Sequence, residues 1–132
     1  MEGNAAKKPL VDGINTIPTS SENFARTWLE IMKPFHKLTA REMDFAAAML
    51  NRRKEIAERV SDQNLVDKLL FNDETKESIR NEVGISRAYM QGILHKMREN
   101  GMINGRRFEP NFLPIWEKGK PFRMLFVFTN EA

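Results

Sequence analysis

The chain has 132 residues, 41% hydrophobic and 30% charged, with a net charge of +3, the size and balance of one soluble domain with a modest core. It contains no cysteine, which excludes disulfide frameworks, thiolate zinc sites and cysteine nucleophiles and fits a reducing compartment. No apolar run approaches the roughly 20 residues that span a bilayer, and MEGNAAKKPLVDG lacks the apolar stretch of a secretory signal, so a cytoplasmic protein is expected. Residues 1–20 are rich in Gly, Pro, Asn, Ser and Lys; with little to bury they read as a flexible arm, with Lys7 and Lys8 solvated. Residues 21–132 then form the single domain.

Residues 22–33 admit two readings. Phe24, Trp28 and Met32 recur every four residues, and Thr19 and Glu22 have capping-box spacing, which favours a helix. The Thr-Trp-Leu-Glu-Ile run suits a strand equally, so the element type stays open up to Pro34. LTAREMDFAAAMLNRRKEIAERV predicts a helix capped by a Thr39–Glu42 box, with Met43, Ala46, Ala47, Met49 and Leu50 inward. Its run Arg52, Arg53 and Lys54 reads as a solvated face. Leu65, Val66, Leu69 and Leu70 mark another helix. A further one, capped by Asn72 or Asp73, carries Ile79 and Val83 inward and stops at Gly84.

GISRAYMQGILHKMRENGMI follows. On a helical wheel Met90, Ile93, Leu94 and Met97 form a core stripe. Ala88, Gly92 and His95 lie opposite, with Tyr89, Gln91 and Lys96 beside them and Arg87 and Arg98 at the boundary. A slim centre line with polar and cationic edges suits a helix in the DNA major groove, which is about 12 Å wide. Gly92 costs about 1 kcal/mol against alanine inside a helix. Close approach of DNA or of a neighbouring helix would each account for it, and the sequence does not choose. The segment ETKESIRNEV, then GIS, then RAYMQGILHKM has helix-turn-helix spacing, with Ile79, Val83, Ile85, Met90 and Ile93 at the inward positions. From Arg80 to Arg107 six cations face two anions, a local +4 against +3 for the whole chain. NGRRFEPNFLPIWEKGKPFRMLFVFT reads as a hairpin: a strand, a basic loop and a returning apolar strand at Met124–Phe128.

These segments resemble the winged helix-turn-helix superfamily. GISRAYMQGILHKMRENGMI is similar to the recognition helix of MarR-type regulators, including the closing Asn-Gly-Met-Ile. LTAREM through FRMLFVF, about residues 38–128, resembles winged-helix replication initiators of the plasmid RepL kind, in plasmid or phage style. The resemblance implies a mainly α fold with a small β-wing: a three-helix core plus a C-terminal β-hairpin, the helix-turn-helix about 73–100 and the wing about 102–129. Arg80 departs from the pattern, which has alanine where the helices cross; either the helices stand apart or its stem snorkels.

The expected function is sequence-specific binding of double-stranded DNA, in transcription regulation or replication initiation, with residues 86–98 in the major groove. The expected DNA contacts are Ser86, Arg87, Ala88, Tyr89, Gln91, Gly92, His95, Lys96 and Arg98 on the helix, and Arg106, Arg107, Lys118 and Lys120 on the wing. Gln91 has the reach to read adenine, and Ser86 caps the helix. One short helix reads few bases, so a homodimer is expected, with residues 24–38 as its candidate surface. The alternative is a winged-helix protein-interaction module, such as a phage structural or assembly component. Phe108, Phe112 and Trp116 raise a third possibility, stacking on unpaired bases. Catalysis is not expected. His36 and His95 lack partners at ligand spacing, Lys118-Gly119-Lys120-Pro121 is not a phosphate loop, and no nucleophile or zinc motif occurs. No cofactor, metal, membrane or small-molecule ligand is implied.

Overall fold

The structure is a computed structural model, in which residues 16–130 are described; the expected arm at 1–20 lies mostly outside them. Six helices follow in order: α1 Phe24–Ile31, α2 Lys33–His36, α3 Ala40–Ala57, α4 Gln63–Leu70, α5 Asp73–Val83 and α6 Arg87–Glu99, then a 3₁₀ turn at Pro110–Phe112. The open segment 22–33 is thus helical. Phe24, Ala25, Trp28 and Leu29 are its buried residues, at the 3- and 4-residue spacing of one helix face. The Thr19–Glu22 box does not form. Thr19 meets Thr27 through their hydroxyls at 3.1 Å instead, and Ser20 Oγ accepts from the Asn23 N–H.

The remaining helix starts follow local chemistry. Thr39 Oγ1 accepts from the Glu42 N–H and Glu42 Oε1 accepts from the Thr39 N–H, closing the box at the head of α3. Asn72 Oδ1 accepts from the Thr75 N–H at 2.8 Å to start α5. Gly84 ends α5 in the left-handed region at φ +79°, where a side chain would be strained. α3 packs against α1, α4 and α5, and its fully buried Phe45 lies in a core with Leu29, Leu38, Leu70, Phe71, Ile79 and Met97.

The basic run of α3 is not a solvated face. Arg52 bonds Glu82 of α5 at 3.1 Å, and Arg53 bonds Asp67 of α4 at 2.8 Å. Lys54 reaches Glu58 and sits 5.5 Å over the Trp116 ring. These cations tie α3 to its neighbours.

The β-wing is absent, and the class is all-α rather than mainly α with a hairpin. Among the described residues no strand forms; one antiparallel bridge joins Ile103 to Phe108. The reasons are physical. Pro110, Pro114 and Pro121 remove ladder donors across the stretch that would pair. The turn at Pro110–Phe112 diverts the chain, and Trp116 is drawn onto α1, stacked 4.9 Å from Phe24 with its Nε1–H donating to the Ser21 carbonyl at 3.1 Å. Phe122 meets Phe24 edge-on at 4.9 Å. The tail is therefore rooted on α1, and Met124–Phe128 runs on exposed.

His36, fully buried at the end of α2, joins the two ends of the core. Its Nε2–H donates to the Leu29 carbonyl at 2.7 Å, and Nδ1 accepts from the Leu38 N–H at 3.0 Å. The Asn100 amide at the end of α6 donates to the His36 carbonyl. Burial holds the imidazole below its usual 6.5, with Lys33 and Lys96 adding to the effect and the Leu29 carbonyl and Glu30 opposing it. The unfolded chain takes this proton near 6.5, the folded chain only at lower pH. Stability from this group is full above that range and lost as pH falls through it. The urea midpoint should therefore drop between about pH 7.5 and about pH 5.5, and His36→Gln should remove most of the drop.

Candidate nucleic-acid interface

The α5–turn–α6 unit is fixed by short-range bonds. Ser86 Oγ accepts from the Tyr89 N–H at 3.1 Å and starts α6. Arg41 of α3 donates to the Gly84 carbonyl at 3.1 Å. Met90, Ile93, Leu94 and Met97 are buried, so the opposite face of α6 is the outer one. Ala88, Gln91, Gly92, His95 and Arg98 are exposed there, and Tyr89 stands at its edge, 37% exposed. A Cβ added at Gly92 would meet nothing within 4 Å. Packing of a neighbouring helix among the described residues therefore does not explain the glycine. The slim centre line is open.

The two edges are tied down differently. On one, Lys96 is half-buried and donates to Glu42 Oε1 at 2.8 Å. That glutamate also closes the α3 capping box. Burial would raise its carboxyl, but the Lys96 hydrogen bond and the Thr39 backbone hold it below the usual carboxylate value. Lys96 is thus a structural brace from α6 to α3, not a free groove contact. On the other edge, Arg80 and Arg87 both grip Glu77. Arg80 donates to Oε1 at 2.9 Å and to Oε2 at 3.1 Å; Arg87 donates to the same oxygens at 3.1 and 3.2 Å. The hydrogen bonds from Arg80, then those from Arg87, pull Glu77 down to about 2. Arg80 also donates to the Ile85 carbonyl at 2.8 Å. Its guanidinium thus reaches past the crossing to clamp the turn, which accounts for an arginine where the pattern has alanine. Arg87, 70% exposed, keeps one side of its fork to solvent. His95 lies 3.4 Å from Glu99 on the surface.

Arg106 and Arg107 are exposed in the turn after α6, where the Asn104 N–H donates to the Arg107 carbonyl at 2.8 Å and the Glu109 N–H to the Met102 carbonyl at 2.9 Å. They share a groove of about 240 Å³ with Asn64, Asp67 and Lys68 of α4 and with Asn104. Asp67 is already engaged by Arg53, which leaves Lys68 and the two arginines as the cations of that groove. Sequence reasoning missed Lys68 and Asn64, because α4 announced itself only by its apolar residues. Lys118 and Lys120 are not brought to α6. They follow Trp116 on the segment rooted on α1, Lys120 bonds Glu117 at 2.9 Å, and no hydrogen bond or ion pair among the described residues links 117–130 to α6. The expected wing contacts lack their wing.

Trp116 and Phe108 are buried and Phe112 is half-buried against the core, so these rings pack inside rather than offering platforms to unpaired bases. Among the described residues no cluster of three metal-ligating side chains occurs, and no helix is long and apolar enough to cross a membrane. Comparison with protein-family models, curated proteins and solved structures finds no match for this chain.

Proposed function

We propose that the protein binds double-stranded DNA sequence-specifically, laying the outer face of residues 86–98 in the major groove, as a transcription regulator or replication initiator. The observation that carries this reading is the open, small-centred face of α6, with Gly92 at its middle and no neighbour within 4 Å of an added Cβ. A helix approaches base edges only when its centre line is slim. Ala88 and Gly92 form that line, and Gln91 and Tyr89 reach base edges from its margins. Arg87 and Arg98 are exposed and meet phosphates on one side. Arg106, Arg107 and Lys68 extend the cationic surface beyond the end of the helix. Phosphate contacts set the register and base contacts the sequence. A cytoplasmic location goes with this role.

The test is a binding titration with duplex DNA, single-stranded DNA and RNA probes over a salt series. Duplex should be preferred, and log K should fall linearly with log salt, with a slope of about −0.9 per phosphate neutralised. Preference for an unpaired probe, or salt-independent binding, contradicts the reading.

The Glu77 clamp adds a less obvious expectation. Its carboxylate competes with phosphate for Arg87, so Glu77→Gln should raise nonspecific duplex affinity and steepen the salt slope by about 0.9. An unchanged slope would contradict competition between Glu77 and phosphate for Arg87.

A further inference from the structure

The sequence holds two Asn-Gly pairs, Asn100-Gly101 and Asn104-Gly105, and the fold treats them oppositely. In such a pair the backbone nitrogen after the asparagine has no Cβ beside it. It can therefore reach the side-chain amide carbon and close a five-membered ring. Asn100 is held off that path. It is half-buried at the end of α6, and its side-chain amide donates to the His36 carbonyl. The Gly101 N–H donates to the Arg98 carbonyl at 3.2 Å, and a ψ of 1° at Asn100 turns that nitrogen away from the side chain. Asn104 is under no such restraint. It is exposed, and among the described residues neither its side-chain amide nor the N–H groups of Gly105, Arg106 and Arg107 make a hydrogen bond. The loop 104–107 is fastened at its base, by the Asn104 N–H to the Arg107 carbonyl at 2.8 Å. A tip with free amides opens at little cost. Gly105 stands at φ +64° with nothing within 4 Å of an added Cβ, so no neighbour blocks the approach.

We infer that Asn104 is a site of spontaneous deamidation, a covalent change that sets a carboxylate among the cations of the α4 groove. The Gly105 nitrogen gives its proton to water and attacks Asn104 Cγ. The N–Cγ bond forms, the Cγ–Nδ2 bond breaks, and Nδ2 leaves as ammonia. Water then opens the succinimide. Breaking the N–Cγ bond gives aspartate, whereas breaking the bond from the Gly105 nitrogen to the Asn104 carbonyl carbon gives isoaspartate. The net change is amide plus water to carboxylate plus ammonium, with nothing oxidised or reduced. Lys68, Arg106 and Arg107 line the same groove, and cations there stabilise the anionic nitrogen and the oxyanion that form on the way. The same cations then face the product. Asp67 is already paired with Arg53, so the new carboxylate is the one that offsets them.

Peptide mapping by mass spectrometry tests this on the full chain, incubated in mildly alkaline buffer both folded and in urea. In the folded chain Asn104 should convert at least about tenfold faster than Asn100, whose reaction waits on local opening. In urea the two should convert at similar rates. Gly105→Ala should suppress conversion at 104 and leave that at 100 unchanged. Equal conversion of the two in the folded chain overturns the inference. So does an Asn104 that stays intact in the folded chain while urea converts both, or a Gly105→Ala chain that converts as fast as wild type. Asn104→Asp should lower duplex affinity about threefold at low salt. This last comparison alone rests on the DNA reading. Unchanged affinity beside selective conversion counts against the groove as a phosphate surface and leaves the modification site standing.

Discussion

Gly92→Glu should lower duplex affinity by at least about 100-fold, some 2.7 kcal/mol, while leaving the fold as stable as before. The stability side follows from helix chemistry. Gly92 lies mid-helix in α6, and a Cβ there meets nothing within 4 Å, so the new side chain enters solvent. Replacing a mid-helix glycine recovers part of the roughly 1 kcal/mol that it loses against alanine. The binding side follows from position. The glutamate would occupy the line where α6 approaches the groove floor, placing an unpaired carboxylate among phosphates and base edges. Gly92→Ala is the control: it should raise the melting temperature and change binding little. Thermal melts beside anisotropy titrations separate the two effects. If Gly92→Glu binds duplex as wild type does, the outer face of α6 is not the DNA surface.

The second large effect concerns stability. Asp67→Ala should cost about 3 kcal/mol, because it leaves the Arg53 guanidinium without its carboxylate in a nearly closed site. Both side chains are only 11% exposed and meet at 2.8 Å, and Arg53 also donates to Gln63 Oε1 at 3.1 Å. Arg53→Met strands the opposite charge and should cost a similar amount. The double change Arg53→Met with Asp67→Leu should recover most of the loss, since apolar residues of similar volume replace a buried pair without its desolvation penalty. Urea unfolding of the wild type, Arg53→Met, Asp67→Leu and the double variant measures the coupling. Additive losses would place the pair in water rather than at the α3–α4 joint. The joint bears on the proposed binding too, as α4 holds Lys68 beside Arg106 and Arg107.

What the sequence made legible was chemistry settled within one turn of helix. The Thr39–Glu42 box, the Asn72 and Ser86 caps, the left-handed Gly84 and the buried stripe Met90, Ile93, Leu94 and Met97 all depend on neighbours at most a few residues away. Partners distant in sequence were not legible. Lys96 looked like a groove contact until Glu42, 54 residues earlier, was found to hold it. The run Arg52–Lys54 looked solvated because Asp67 and Glu82 lie on other helices. The wing failed for a related reason. Met124–Phe128 has the composition of a strand, but a strand is completed by a partner, and the candidate partner is cut by prolines and diverted onto α1. Thr19–Glu22 shows the converse: correct spacing alone did not form a cap.

The most direct measurement is an amide-resolved NMR titration of the full chain with duplex DNA. Shift changes should gather on Ser86, Ala88, Tyr89, Gln91, Gly92 and His95, with weaker ones at Lys68, Arg106 and Arg107, and the amides of α1 should stay still. Changes concentrated on residues 118–130 or on α1, with the Gly92 amide unmoved, would contradict the account.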